Sequence, residues 1–395
     1  MSSSALVRAA GWVAARGQSP EAAVGVATFK SVTPGLHDLD IRSVEVPADR
    51  VDAVIAALAS RLDVAWAERV AVVRKHSDAP VPVGGPPLAP PTSPRAGVSL
   101  PNDPRFAEQW GASFVGAPAA WASASAANPT GTTMLVAVVD SGIQYDHPDL
   151  ASRIAPPETW GRCDSNSTCR SFAVGDASTY PVDGDGHGTH VAGIVAAATG
   201  NGIGIAGAAG DRPVLMIPVR ILNDSGSGTT DAVAAGISWA VAKGAHVINL
   251  SVGGPTDTNA VRNAVEAAAA AGVLLVTSAG NCGGIDYYYQ GCSYRNELDY
   301  PAAYGGTNAG RGKLMPVASL DSYGGVSSFS TQASFVAMSG LAAPGGSILS
   351  TYKGSDYVRL SGTSMAAPHV AGVAALLWST FPTATREQVR DALRS

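Results

Sequence analysis

Ser364 stands in Gly362-Thr363-Ser364-Met365-Ala366-Ala367-Pro368-His369, just ahead of the apolar run Val370 to Trp378. Small residues, a proline and an apolar run in that order predict a turn feeding a buried helix, with the serine in its first turn. Unpaired N–H groups and the positive dipole end at such a terminus favour the oxyanion formed when a hydroxyl attacks a carbonyl. A serine there is, by itself, an ordinary helix cap. To act as a nucleophile it needs a base to take its proton and a third group to hold that base in the right tautomer. Two upstream stretches offer both. Thr133 to Val139 is an apolar, β-branched run that predicts a buried parallel strand ending in Asp140-Ser141-Gly142. A carboxylate at a strand's carboxyl end is where an α/β sheet places its chemistry. His187 lies in the Gly-rich turn Asp183-Gly184-Asp185-Gly186-His187-Gly188-Thr189-His190, ahead of Val191 to Ala198, which predicts a second helix.

Asp-Ser-Gly, His-Gly-Thr-His and Gly-Thr-Ser-Met-Ala, in that order, resemble the three catalytic signatures of the subtilisin-like (subtilase) serine proteases. The resemblance covers residues 101 to 394. It implies an orienting Asp140, a general base and then acid in His187, and a nucleophilic Ser364. It also implies a role for Asn281, which ends the strand-like stretch Gly272 to Gly280 and matches the family's oxyanion-hole asparagine. Loss of such an amide donor in a relative costs about 3 kcal/mol in the barrier. The implied fold class is α/β, a subtilisin-like parallel sheet flanked by helices, and the implied activity is peptide-bond hydrolysis through an acyl-enzyme.

The resemblance also frames the substrate. Gly226, Ser227 and Gly228 would pair their backbone with a polypeptide on the acyl side of the scissile bond, and Ser251, Val252 and Gly253 would supply the opposite edge. Binding would then be strand addition. Ser278, Ala279 and Gly280 would wall a roomy first pocket, and with no acid found on that wall a large apolar or aromatic side chain is the expected occupant.

The start Pro101 to Gly111 resembles thermitase-like members, and with it comes a metal expectation. Asp103, Asp149 and Asn201, with the carbonyls of Ala198, Ile203 and Ile205, match the positions that ligate a structural calcium in that subgroup. They make a set of hard oxygens of the kind calcium requires. No organic cofactor is expected: Gly202 to Gly207 fits the dinucleotide fingerprint letter by letter but follows a helix instead of a strand. His187 and His190 are three apart, as metal ligands can be, yet no Cys or Glu stands at zinc spacing. The four cysteines form two near pairs, Cys163 with Cys169 and Cys282 with Cys292. Local pairing is the simplest of three possibilities, and free buried thiols are the alternative.

The elements that position these residues fall in three parts: a small α+β domain at 1–76, a Pro-rich linker at 77–100, and the catalytic domain at 101–395. Ala23 to Phe29, Leu39 to Val46 and Val64 to Val73 read as strands, and Asp49 to Leu62 has the apolar spacing of a helix. In pattern and position this domain resembles the propeptide of secreted subtilases, an intramolecular inhibitor and folding aid; a small domain without an inhibitory role is the alternative. Seven prolines between Pro80 and Pro94 predict an extended, easily cut linker. Thr383 to Arg394 predicts a last helix, after which family members usually continue, so a shortened domain is expected.

At 395 residues the chain can bury a large core. A net charge of −5 with no basic cluster excludes a nucleic-acid partner, and no apolar run is long enough to span a bilayer. A monomer acting on polypeptides is expected. Met1 to Arg8 lacks the uninterrupted apolar core of a secretory signal, while disulfides would place the chain in an oxidising compartment, secreted or periplasmic. Two rivals stand beside this reading: an intracellular processing protease for one peptide, with free thiols, and an inactive peptide-binding domain.

Overall fold

Aliphatic strands buried along their length set the architecture. The computed structural model describes residues 4–10, 30–31, 42–60, 64, 66–75, 99–157, 171–173, 181–284, 292, 296–306, 312–332 and 340–395. Strands β1 (Ser4–Ala10), β2 (Lys30–Ser31), β3 (Arg42–Pro47) and β4 (Trp66–Arg69) form an antiparallel sheet in the order β2-β3-β1-β4. Helix α1 (Val51–Ala59) turns Val51, Val54 and Leu58 onto Val44 and Val46 of that sheet. The expected helix and the strand near Leu39 to Val46 are therefore present, whereas Ala23 to Phe29 lies outside the described residues, as does nearly all of the Pro-rich linker. Met1 to Arg8 lacked the apolar core of a secretory signal, and Ser4 to Arg8 belong to an inner strand, paired on one side with β3 and on the other with β4.

The stretch expected as one closing strand, Val64 to Val73, is divided. After β4, Ala71 exchanges backbone and side-chain hydrogen bonds with Thr230. The chain there leaves the small sheet, and β5 (Val72–Lys75) joins a different one.

Beyond the helices α2 (Trp110–Phe114) and α3 (Ala117–Ala127), the second unit is built on β6 (Met134–Asp140), α4 (His187–Ala196), β7 (Val214–Arg220), β8 (Ser227–Thr229), α5 (Thr230–Ala242), β9 (Val247–Leu250), β10 (Val252–Gly253), α6 (Asn259–Ala270), β11 (Leu274–Ser278), β12 (Leu314–Leu320), β13 (Leu341–Pro344), β14 (Ile348–Thr351), β15 (Tyr357–Leu360), α7 (Thr363–Thr380) and α8 (Arg386–Arg394). Six strands form a parallel sheet in the order β13-β12-β11-β9-β6-β7. Along β6, Met134, Val136 and Val138 face the layer containing α4 and α7, while Ala137 and Val139 face the layer of α5 and α6. Both faces are covered, which is why the strands read as continuous apolar runs. Helices α4 and α7 approach closely because Gly372 has no side chain: a Cβ there would stand 2.6 Å from the Val195 carbonyl oxygen. Among the described residues no helix is long and apolar enough to cross a membrane.

His190 belongs to this packing. Its ring is fully buried on α4, with Nε2 3.0 Å from the Ile348 carbonyl of β14 and 3.1 Å from the Val358 carbonyl of β15. Burial, helped by the nearby His187, pushes its pKa down to about 3. The unfolded chain takes up this proton near pH 6.5, long before the folded one does, so stability is kept above pH 6.5 and lost as pH falls toward 3. The melting temperature should fall across that window, and less steeply in His190→Gln, which cannot titrate. Equal slopes in the two proteins would contradict this account.

Candidate active site

Asp140 is the last residue of β6, at the carboxyl edge of the sheet. Its Oδ1 accepts 2.7 Å hydrogen bonds from His187 Nδ1 and from the Ser141 N–H, and both side chains of the Asp–His pair are fully buried. Gly188 permits the approach, because a Cβ on it would lie 2.1 Å from the Gly142 carbonyl oxygen and 3.2 Å from Asp140 Cβ. A second buried carboxylate holds the two turns together. Asp183 Oδ1 accepts from Ser141 Oγ (2.8 Å), Gly186 N (2.8 Å) and Asp185 N (3.1 Å), and its Oδ2 accepts from the N–H and hydroxyl of Thr189 (2.8 and 2.7 Å). Ser141 Oγ in turn accepts from Gly188 N (2.9 Å). The motif reading passed over Asp183, although an acid just before an apolar helical run is a capping signal.

Burial lowers the His187 pKa, but the Asp140 charge and hydrogen bond raise it more, and the ring ends above its ordinary 6.5. Its Nε2 is buried without a hydrogen-bond partner. That nitrogen is the one left to accept a proton.

Helix α7 starts after Gly362, with Ser364 as its second residue. Pro368, inside the helix, has no N–H for the carbonyl four residues back, which is that of Ser364. Ser251 uses the vacancy: its hydroxyl donates to the Ser364 carbonyl at 2.9 Å, and Ser364 Oγ donates to the Ser251 carbonyl at 2.8 Å. Asn281 is oriented with equal definition. Its Oδ1 accepts from the Thr363 N–H (3.1 Å) and hydroxyl (3.0 Å), and Thr363 Oγ1 accepts from Gly280 N (3.2 Å). This fixes which end of the amide points away, and Nδ2 is left buried with no acceptor. An unsatisfied donor there is costly unless an incoming oxygen meets it.

The two strands expected to take a substrate are both paired with another strand of this chain. β5 lies antiparallel between β8 and β10, with Val73 opposite Gly228, Arg74 opposite Ser227 and Gly253, and Lys75 opposite Val252. Lys75 N donates to the Gly226 carbonyl at 3.1 Å.

Residues 131–395 match the Subtilase family. The chain is 44% identical to thermitase of Thermoactinomyces vulgaris over 71% of this chain and 85% of that protein. It is 40% identical to subtilisin DY of Bacillus licheniformis (67% and 84%) and 39% identical to subtilisin Savinase of Lederbergia lenta (72% and 90%). The chain belongs to the subtilase family. It is a subtilisin-like serine endopeptidase, and polypeptides are its substrates.

In this subtilase Ser278, Ala279 and Gly280, expected to wall the first pocket, are buried, and an acid lies close to them. Asp299 Oδ2 lies 2.8 Å from where a Gly280 Cβ would be. Asp299 comes from a segment beyond the wall's own residues, so reading that wall along the sequence missed it.

Of the residues expected to hold calcium, Asp103, Asp149 and Asn201 lie within one hydrogen-bonded cluster. Asp149 Oδ1 accepts from Asn201 Nδ2 (2.8 Å) and Oδ2 from Ile205 N (2.9 Å) and the Tyr357 hydroxyl (3.2 Å), while Asp103 accepts from Gly200 N (2.8 Å) and Asn201 N (3.1 Å). Ala198 N donates to the Asp149 carbonyl, and Ile203 N to Asn201 Oδ1. Burial foremost, with the Asp103 charge adding, raises the Asp149 pKa above the usual carboxylate value. Among the described residues no group of three or more His, Cys, Asp or Glu is arranged for a metal, so any cation here would rest on two carboxylates with amide and carbonyl oxygens. Cys282 and Cys292 form a disulfide next to Asn281, and Cys282 N donates to Thr331 Oγ1 at 3.0 Å. Cys163 and Cys169 lie outside the described residues.

With Asp140→Asn, the two Asp140 influences that raise the His187 pKa are lost, and burial prevails over the smaller Asp185 charge that remains, so the ring should titrate below 6.5. An imidazole titration followed by nuclear magnetic resonance checks this; a value still above 6.5 would refute the assignment of cause.

Proposed function

We propose that this subtilase is a pro-enzyme that matures itself, with Asp140, His187, Ser364 and Asn281 as its catalytic residues. Rotation of the Ser364 hydroxyl away from the Ser251 carbonyl hands its proton to His187 Nε2 as Oγ bonds to the substrate carbonyl carbon. The oxyanion accepts from Asn281 Nδ2 and the N-terminal N–H groups of α7. His187 then passes the proton to the leaving amine, giving an acyl-enzyme that water hydrolyses by the same steps in reverse. Asp140 keeps the ring in the tautomer this requires.

The observation that carries the pro-enzyme reading is β5 filling the cleft. It leads from the small α+β domain and ends at Lys75, opposite Val252. Ser251, the preceding residue on that edge, holds the Ser364 hydroxyl. Because the pairing is antiparallel, one residue on from Lys75 in sequence makes His76–Ser77 the bond to be cut. The segment before it then remains as a product-like inhibitor until removed.

Asp103, Asp149 and Asn201, with the carbonyls of Ala198, Ile203 and Ile205, would hold a structural calcium. Two buried acids side by side support this, since a divalent cation offsets their repulsion. The Cys282–Cys292 bridge anchors the turn that carries Asn281 and favours an oxidising compartment, secreted or periplasmic.

Intact mass after incubation with millimolar calcium tests maturation. Wild-type chain should lose a fragment ending at His76, and Ser364→Ala should stay whole; two uncut chains, or two cut ones, would count against self-cleavage. For the metal, a chelator should lower the melting temperature of wild type and leave Asp149→Asn unmoved. A chelator-insensitive wild type would refute the calcium site.

A further inference from the structure

Lys75 shows how the cleft treats a side chain beside the catalytic histidine. Its Nζ lies 3.0 Å from both carboxylate oxygens of Asp185, and the pair is largely enclosed, with side chains 22% and 8% exposed. The backbone pins the position, since Lys75 N donates to the Gly226 carbonyl and the residue sits opposite Val252. The stem lies along Gly226, whose φ is +69° and whose absent Cβ would stand 2.7 Å from Lys75 Cδ and Cε. A groove of this kind takes a long methylene chain and delivers its cation to the acid.

Asp185 is held for that purpose. Its N–H donates to Asp183, its carbonyl accepts from the Tyr352 hydroxyl (3.0 Å), and its Oδ1 also accepts from His187 N (3.2 Å). Other nearby cations are engaged elsewhere: Lys353 with the Gly184 carbonyl, Arg220 with Asp224. A carboxylate enclosed by an incoming strand loses water, and only a cation or a strong donor offsets that loss.

We infer that Asp185 is a specificity-determining residue, selecting polypeptides with lysine or arginine at the second position on the acyl side of the scissile bond. This rests on the reading of β5 as a product-like occupant of the cleft. The chain's own Val72-Val73-Arg74-Lys75 is then the first sequence that meets the rule.

The test uses the full chain after calcium incubation and two quenched peptides, Val-Val-Arg-Lys-His-Ser and the same peptide with alanine for lysine. Wild type should favour the lysine peptide in kcat/KM by about tenfold to a hundredfold, the worth of one hydrogen-bonded charge pair. In Asp185→Asn the ratio should fall toward one. The ratio within each enzyme is read because Asp185 also touches His187, so absolute rates will move. Turnover of both peptides at equal efficiency in wild type, or a ratio that Asp185→Asn leaves unchanged, overturns the inference while the protease stands. Turnover of neither peptide, nor of casein, overturns the inference together with the catalytic reading.

Discussion

The hydrogen bond between His187 Nδ1 and Asp140 Oδ1 is the constraint on which the rest of the structure depends. It joins the end of a central strand to the first residue of a helix, two elements 47 residues apart. A 2.7 Å contact between fully buried groups leaves little tolerance, so the approach is enforced on every side. Gly188 removes the side chain that would hold the helix off, and Asp183 satisfies the donors of both turns. Helix α7 packs against α4 and the same sheet face, which sets Ser364 against the same edge.

Three buried polar atoms of the site have no hydrogen-bond partner: Asp140 Oδ2, His187 Nε2 and Asn281 Nδ2. His187 Nε2 and Asn281 Nδ2 are buried without partners while the opposite end of each side chain is firmly bonded. Buried polar atoms are almost always paired. Among the exceptions, His187 Nε2 and Asn281 Nδ2 sit where a proton and an oxyanion would be received. Pro368 contributes in the same way, since the helical hydrogen bond it cannot make frees the Ser364 carbonyl for Ser251, a residue of the cleft edge.

The cleft itself is an open pair of strand edges, and exposed edges recruit strands. In this chain β5 fills the gap, pairing with both β8 and β10. Glycines at 226, 228 and 254 keep the edges clear: a Cβ at Gly254 would meet the Val72 carbonyl at 2.6 Å, and one at Gly228 the Ile221 carbonyl at 2.4 Å. Backbone pairing supplies affinity indifferent to sequence.

Much of this was legible in the chain. The apolar runs of β6, β7 and β11 and the helices after His187 and Ser364 follow from burial on both faces, which leaves an uninterrupted pattern in sequence. Asp140, His187, Ser364 and Asn281 were legible because each ends or begins such a run. The sequence did not show that Val64 to Val73 divides between two sheets, since both halves have strand propensity and only the partners, Ala67 on β1 and Val73 on Gly228, differ. Nor did it show Asp299 beside Gly280, or Lys75 on Asp185 across 110 residues. Local propensity and spacing determined the elements and the reactive residue types. Which distant side chains meet was decided only by tertiary packing, because a contact between separate loops leaves no period in the chain that forms it.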